Sequence, residues 1–363
     1  MTTERQRVHA QAPARVLIHA PNWVGDHAMA FPFYAALREL LPEAELVLIG
    51  RRWVSDLAPP WFDEIINLEG KNLRNEDLKA LRALRFDAGF TLSPSFRSAW
   101  LLKRLGVTQR FGFASDMRSW LLTRPKNPER REPYNRFEHR SLAYLRLLNQ
   151  WLPAGSLAED IFERFRDVRL DAQPVAPIEK KYGLAKSAER IIIGPGSTAA
   201  SKKYPASHHI RALELMRARH PHLQIVLLGA PIDQHDADII LRHFAADKKT
   251  TVFSLCGKTT LTEAHALISS ARFVVANDSG IAHLTSLTAT PLITFNGMGR
   301  RQETGPLTAS KVMFDLDLPC SPCFAKVCPR RDAPLECLTG ILPERVAEAG
   351  LALLRVKRSK TAR

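Results

Sequence analysis

Short apolar runs, each closed by a polar turn and followed by an amphipathic stretch, recur in two blocks of this chain. That alternation restricts the fold more than any other feature. Arg15–His19 (RVLIH) meets the turn Ala20–Asp26, an amphipathic segment follows from His27 to Leu41, and Glu45–Gly50 (ELVLIG) closes a strand–helix–strand unit. Ala88–Leu92 supplies a further run after a helical stretch around Asp77–Leu84. The second block opens with Arg190–Gly196 (RIIIGPG), and its patterning predicts helices over Ala206–Ala218, Gln234–Phe244 and Thr262–Ser269. Around them lie the strand candidates Leu223–Gly229, Val252–Leu255, Ala271–Ala276 and Pro291–Phe295. Alternation of this kind makes a parallel sheet covered by helices.

A chain of 363 residues exceeds what one hydrophobic core usually organises, so two doubly wound α/β domains with a cleft between them are expected. Leu170–Ile178 (LDAQPVAPI) has two prolines and no helical period and reads as the interdomain linker. The expected divisions are an N-terminal domain over 1–172, a C-terminal domain over 173–342, and a final helix with a basic tail over 343–363. With 45% hydrophobic and 25% charged residues, the composition is that of a globular enzyme and disfavours wholesale disorder. No run of 18 apolar residues occurs and the N-terminus lacks the apolar centre of a signal peptide, so the sequence reads as cytosolic.

The net charge of +15 is clustered. Residues 97–146 carry 12 basic and 4 acidic side chains, and 351–363 carry 5 basic and no acidic ones. Such clustering suits a surface that attracts phosphates on nucleic acid, anionic lipid or a phosphorylated substrate; a solvated basic face without a partner is the plain alternative. No helix-turn-helix or aromatic-and-basic RNA motif is evident, which disfavours nucleic acid.

Ligands of doubly wound sheets sit at the carboxyl ends of strands, and three loops occupy that position. In Asn22-Trp23-Val24-Gly25-Asp26, the Asp26 carboxylate either serves as a general base or caps the helix that follows. In Gly194–Pro205 (GPGSTAASKKYP), glycines, the hydroxyls of Ser197 and Thr198, and Lys202 precede a helix, an arrangement suited to a diphosphate; a solvated lysine pair is the alternative. Neither GxxxxGK[ST] nor GxGxxG is present in these loops. In Asn277-Asp278-Ser279-Gly280-Ile281-Ala282-His283, amides at a helix start and the Ser279 hydroxyl suit further phosphate oxygens, and His283 is either directed at the same place or structural. Cys320, Cys323, Cys328 and Cys337 form C-x2-C-x4-C-x8-C in a proline-rich loop, which reads either as a small structural zinc site or as free thiols or a labile disulfide.

Pro21–Asp26 (PNWVGD), Lys202-Lys203-Tyr204-Pro205 and Asn277–His283 (NDSGIAH), in that order, resemble the ADP-heptose:lipopolysaccharide heptosyltransferases, glycosyltransferase family 9, and most closely the heptosyltransferase II branch. Ser95–Ala99 and Arg110–Phe113, with Arg118 beyond, look like the same branch, and the likeness runs from about Val16 past Cys337. It implies a GT-B fold of two Rossmann-like domains, the acceptor bound mainly by the first and the ADP-sugar mainly by the second. It further implies an inverting transfer of heptose from ADP-heptose to the inner core of lipopolysaccharide, with no metal or other cofactor required for catalysis. In that scheme Asp26 and Lys202 are catalytic. Ser197, Thr198, Asp278, Ser279, Gly280 and His283 line the donor site, with Asp233 at the ribose. Asn22, Trp23, Gly25, Arg97, Arg110 and Arg118 meet the acceptor. The basic tail would hold the protein at the anionic inner leaflet, peripheral to the inner membrane. Competing readings are a GT-B transferase for another nucleotide sugar and glycolipid, or a non-enzymatic basic anion-binding protein.

Overall fold

In β1 (Arg15–His19) the side chains of Val16, Leu17 and Ile18 are wholly buried, as expected of a central parallel strand covered on both faces. The computed structural model describes residues 14–68, 75–126, 138–150, 161–186, 189–245, 251–308 and 310–356, and the chain divides into two compact units, Met1–Val168 and Arg169–Arg363.

In unit 1, β2 (Glu45–Arg51), β3 (Glu64–Leu68), β4 (Ala88–Thr91), β5 (Gln109–Phe113) and β6 (Arg124–Lys126) join β1 in one parallel sheet of order β3-β2-β1-β4-β5-β6. This is the strand order of the Rossmann fold, and its direction reverses between β1 and β4. One face packs Leu17, Val47 and Ile49 against Leu78, Leu81, Phe86, Leu102 and Leu105. The segment expected as one helix from His27 to Leu41 is two, Val24–Met29 and Phe31–Leu40. Pro32 lies in the first turn of the second helix; it has no N–H to give to the Ala28 carbonyl, so the helical ladder breaks at Ala30.

Unit 2 repeats the plan. Strands β7 (Arg190–Gly194), β8 (Gln224–Leu227), β9 (Val252–Ser254), β10 (Val274–Asn277), β11 (Leu292–Phe295) and β12 (Lys311–Phe314) are parallel in the order β12-β11-β10-β7-β8-β9, with the reversal between β7 and β10. Its core joins Ile191, Ile193, Ile225, Leu227, Phe273 and Val275 to Val346, Ala347, Leu351 and Leu354 of the Pro343–Arg355 helix. The stretch expected as a linker is tied to this unit: Leu170 N–H donates to Leu287 O at 2.9 Å, and the Ala176–Tyr182 helix begins inside it with Pro177 in its first turn.

Candidate active site

Both switch points fall at loops that the sequence singles out. In unit 1, the loop after β1 carries Asn22, whose Nδ2 donates to Ser93 Oγ, 2.9 Å away in the loop after β4. Trp23 is 63% exposed and extended, and Asp26 is the third residue of the Val24–Met29 helix. The helix cap is therefore Trp23, without a side-chain bond, and the capping alternative for Asp26 does not hold. A carboxylate in the first turn complements the partial positive charge of the helix start. Tyr144, buried below, has its hydroxyl pushed well above the usual range by burial and, next, by the charge of Asp26. His27 beside it is buried; its Nδ1 lies 3.1 Å from Tyr34 Oη, and burial lowers its pKa to about 4. It is a neutral packing residue.

The three arginines expected at the acceptor separate. Arg97 is exposed on the Phe96–Arg104 helix. Arg110 spends its guanidinium on main-chain carbonyls, Nε to Leu121 O at 2.6 Å and Nη1 to Val107 O at 2.6 Å. Arg118 is wholly buried: Nε donates to Phe113 O at 2.8 Å, and Nη1 to Ser93 O, Ser95 O and Ser98 Oγ at 2.7 to 2.9 Å. Arg118, expected at the acceptor, is enclosed within unit 1. It shapes the 93–98 loop from beneath, because a planar fork of donors can gather several loop carbonyls at once.

In unit 2, Lys202 closes the turn Ala200–Lys202, and its Nζ lies 2.6 Å from Asp278 Oδ2. His283 Nε2 stands 3.6 Å from the other carboxylate oxygen. Burial alone would raise the Asp278 carboxyl, but the nearby His283 imidazole and the charge of Lys202 outweigh it and hold its pKa at about 2. Lys202 is thus a paired cation; its neighbour Lys203 turns aside to Asp236 at 2.6 Å. Ser197 Oγ donates to Asp278 O at 3.4 Å, whereas Thr198 is exposed. Ser279 starts the Gly280–Ser286 helix from an extended backbone, and its buried hydroxyl has no hydrogen-bond partner among the described residues. Asp233 is buried. Its Oδ2 accepts the Ala230 N–H at 2.8 Å, its Oδ1 has no hydrogen-bond partner among the described residues, and burial raises its pKa.

Two features of this site escape a reading of the sequence. Asn277 is wholly buried and fastens the loops: its Oδ1 accepts Tyr204 N–H at 2.9 Å and its Nδ2 donates to Pro195 O at 2.7 Å and Gly196 O at 3.2 Å. Its place at the head of Asn-Asp-Ser-Gly was the available signal. Gly196 and Gly229 both press on Asp233; a Cβ at Gly196 would fall 1.9 Å from Asp233 Oδ1. No motif marks that approach.

The four clustered cysteines line one pocket with Ser201, Met298 and Arg330. All five cysteines are free thiols, and among the described residues no group of three or more His, Cys, Asp or Glu side chains is arranged to hold a metal ion. The residues do not fit the structural zinc site, and that reading is set aside. The loop is held to the Lys202 turn by Ser201, whose N–H donates to Lys326 O at 3.2 Å and whose Oγ donates to Ala325 O at 2.5 Å.

The family described as glycosyltransferase family 9 (heptosyltransferase) matches residues 76–333. The lipopolysaccharide heptosyltransferase 2 of Escherichia coli K12 is 27% identical over 310 residues, 81% of this chain and 86% of that protein. A lipooligosaccharide heptosyltransferase 2 of Campylobacter jejuni is 25% identical over 342 residues, 92% and 97% of the two chains. Among solved structures, E. coli ADP-heptose lps heptosyltransferase II superposes with a TM-score of 0.76 at 24% identity, covering 94% of this chain and 98% of that one. E. coli heptosyltransferase WaaC with ADP gives 0.65 at 18%, covering 93% and 99%. These structural likenesses bear out the GT-B fold class. No helix among the described residues is long and apolar enough to cross a membrane. The chain belongs to glycosyltransferase family 9, the heptosyltransferase family of glycosyltransferases.

Proposed function

We propose that this protein moves a heptose from ADP-heptose to the inner core of lipopolysaccharide with inversion at the anomeric carbon. The observation that carries the reading is the Lys202–Asp278–His283 cluster at the unit 2 switch point, in a chain of this family. Two of the relatives named above are a lipooligosaccharide heptosyltransferase 2 and a lipopolysaccharide heptosyltransferase 2, and the solved heptosyltransferase WaaC carries ADP.

The acceptor hydroxyl attacks the anomeric carbon, Asp26 takes its proton, and the bond to the diphosphate breaks with ADP as leaving group. Positive charge spreads over the ring in an oxocarbenium-like transition state. Negative charge gathers on the diphosphate, where Lys202 is the cation and Ser197, Thr198, Ser279 and the Gly280 amide are the neutral donors. A well-placed donor of this kind is worth about 3–4 kcal/mol. Asp278, ionised and salt-bridged to Lys202, fixes the direction of that ammonium. Asp233 takes the ribose hydroxyls. Asn22, Trp23, Gly25 and Arg97 face the acceptor, with Arg110 supporting them. The mechanism calls on no metal ion. The protein works at the anionic inner leaflet, where the basic residues of 351–363 add attraction; most of that tail lies outside the described residues.

The test is ADP release from ADP-heptose with a heptose-primed core acceptor. Asp26→Asn should abolish release while ADP binding, measured by calorimetry, and the fold, checked by circular dichroism, persist. Loss of ADP binding with the fold intact would place Asp26 on the donor instead. Equal turnover of another nucleotide sugar would sink the heptose assignment.

A further inference from the structure

The outer face of the Phe96–Arg104 helix is unusual for a surface helix. Its i, i+4 and i+7 positions, Phe96, Trp100 and Lys103, are exposed, while Ser98, Ala99 and Leu102 are buried. Trp120, from the turn Ser119–Leu121, joins them. The three ring centroids are 6.2 to 6.5 Å apart in every pairing, and the residues are 39, 40 and 60% exposed. Met117 is 90% exposed and follows Asp116, whose carboxylate accepts the Phe96 N–H at 2.9 Å. Lys103 Nζ stands 4.7 Å from the Trp120 ring centroid and 5.8 Å from that of Trp100, and Arg97 and Arg104 lie on the same helix.

We propose that this aromatic and basic patch docks the protein onto the headgroup layer of an anionic phospholipid bilayer. Tryptophan prefers that layer because its ring is apolar and its N–H is polar, and lysine and arginine beside it meet lipid phosphates. Charge complementarity selects this occupant: the helix that presents the rings carries Arg97, Lys103 and Arg104 and no acidic residue. A second copy of the chain, docked face to face, would oppose cation to cation. Single-stranded nucleic acid needs ring faces open for base stacking. Here Phe96 and Trp100 stack on each other with an interplanar angle of 17°, and Lys103 takes the Trp120 ring. The inference rests on the proposed place at the anionic inner leaflet and adds the surface that meets it; vesicle partitioning without tryptophan quenching would remove the patch and leave that place standing.

The test uses the full chain and vesicles of phosphatidylcholine with phosphatidylglycerol, made with and without bromine-labelled acyl chains. Bound protein should show bromine quenching of tryptophan. Trp100→Ser with Trp120→Ser should remove that quenching and lower vesicle partitioning by about tenfold or more. Lys103→Ser should lower partitioning about fivefold. Where the double variant fails to fold, Trp120→Ser alone serves, this being the most exposed of the three rings. The combined substitutions Lys357→Ser, Arg358→Ser, Lys360→Ser and Arg363→Ser should weaken partitioning yet leave the quenching of bound protein unchanged. Partitioning and quenching that survive the tryptophan substitutions would overturn the proposal. So would dimerisation without lipid that the double variant abolishes, or binding of a single-stranded oligonucleotide lost in a double variant that still binds vesicles.

Discussion

Lys202 Nζ lies 2.6 Å from Asp278 Oδ2, although 76 positions separate the two residues in the chain. The pair forms because β7 and β10 are neighbours, so the loops that leave their carboxyl ends meet. The folded pKa of Asp278, about 2, lies below the unfolded carboxyl value. The stability it contributes is therefore complete above about pH 4 and is lost as pH falls through about 2. With Lys202 partly solvated, Asp278→Asn should cost about 1–2 kcal/mol at pH 7. Urea midpoints of the two proteins should converge as the pH approaches 2; a gap that stays constant with pH would mean the ion pair is not its source.

Gly196→Ala should be costly for a reason outside its own backbone. The added methyl would fall 1.9 Å from Asp233 Oδ1, so the carboxylate must move and give up the Ala230 N–H. The expected loss is about 1–3 kcal/mol. In Asp233→Gly the space is free, and the same alanine should then be almost neutral. Strictly additive losses in the double variant would show that the contact is not the cause.

Arg118 and Arg97 should part company under mutation. Arg118→Lys cannot reproduce the fork that gathers the carbonyls of Phe113, Ser93 and Ser95, and should lower stability by about 3 kcal/mol. Arg97→Ala, on the exposed helix face, should move the urea midpoint by less than about 0.5 kcal/mol equivalent and act on acceptor KM alone. A stable Arg118→Lys protein with a raised acceptor KM would return Arg118 to the acceptor.

The thiols should alkylate in a set order. Cys320 and Cys323 are exposed. Burial raises Cys256 to about 12, and burial with the neighbouring Cys328, Cys320 and Cys323 raises Cys337 to about 11. Only the thiolate reacts, so at pH 8 these two should lag an ordinary thiol by at least about a hundredfold. Peptide mass mapping after timed iodoacetamide treatment reads the order, and fast labelling of Cys337 would contradict it.

The buried strands were legible because a parallel strand covered on both faces must be an apolar run: RVLIH, ELVLIG and RIIIG declare themselves. The edge strands β3 and β12 did not. Glu64, Asn67, Lys311 and Val312 are exposed, so EIINL and KVMF lack the pattern that burial imposes. Phe31–Leu40 has a helical pattern, and Pro32 within it marks the break from the helix before.

The loop chemistry at both switch points, with Asp26, Lys202 and the Asn277–Gly280 turn, belongs to the amino-acid order alone, since strand-end position and residue type are local properties. Partnership is not local. That Lys202 is already paired with Asp278, that Asn277 fastens two loops, and that Arg118 lies inside rather than on the surface all depend on which strands pair. A count of basic residues cannot separate a guanidinium solvated by water from one solvated by main-chain carbonyls; only packing makes that distinction, because it decides which oxygen atoms come within reach.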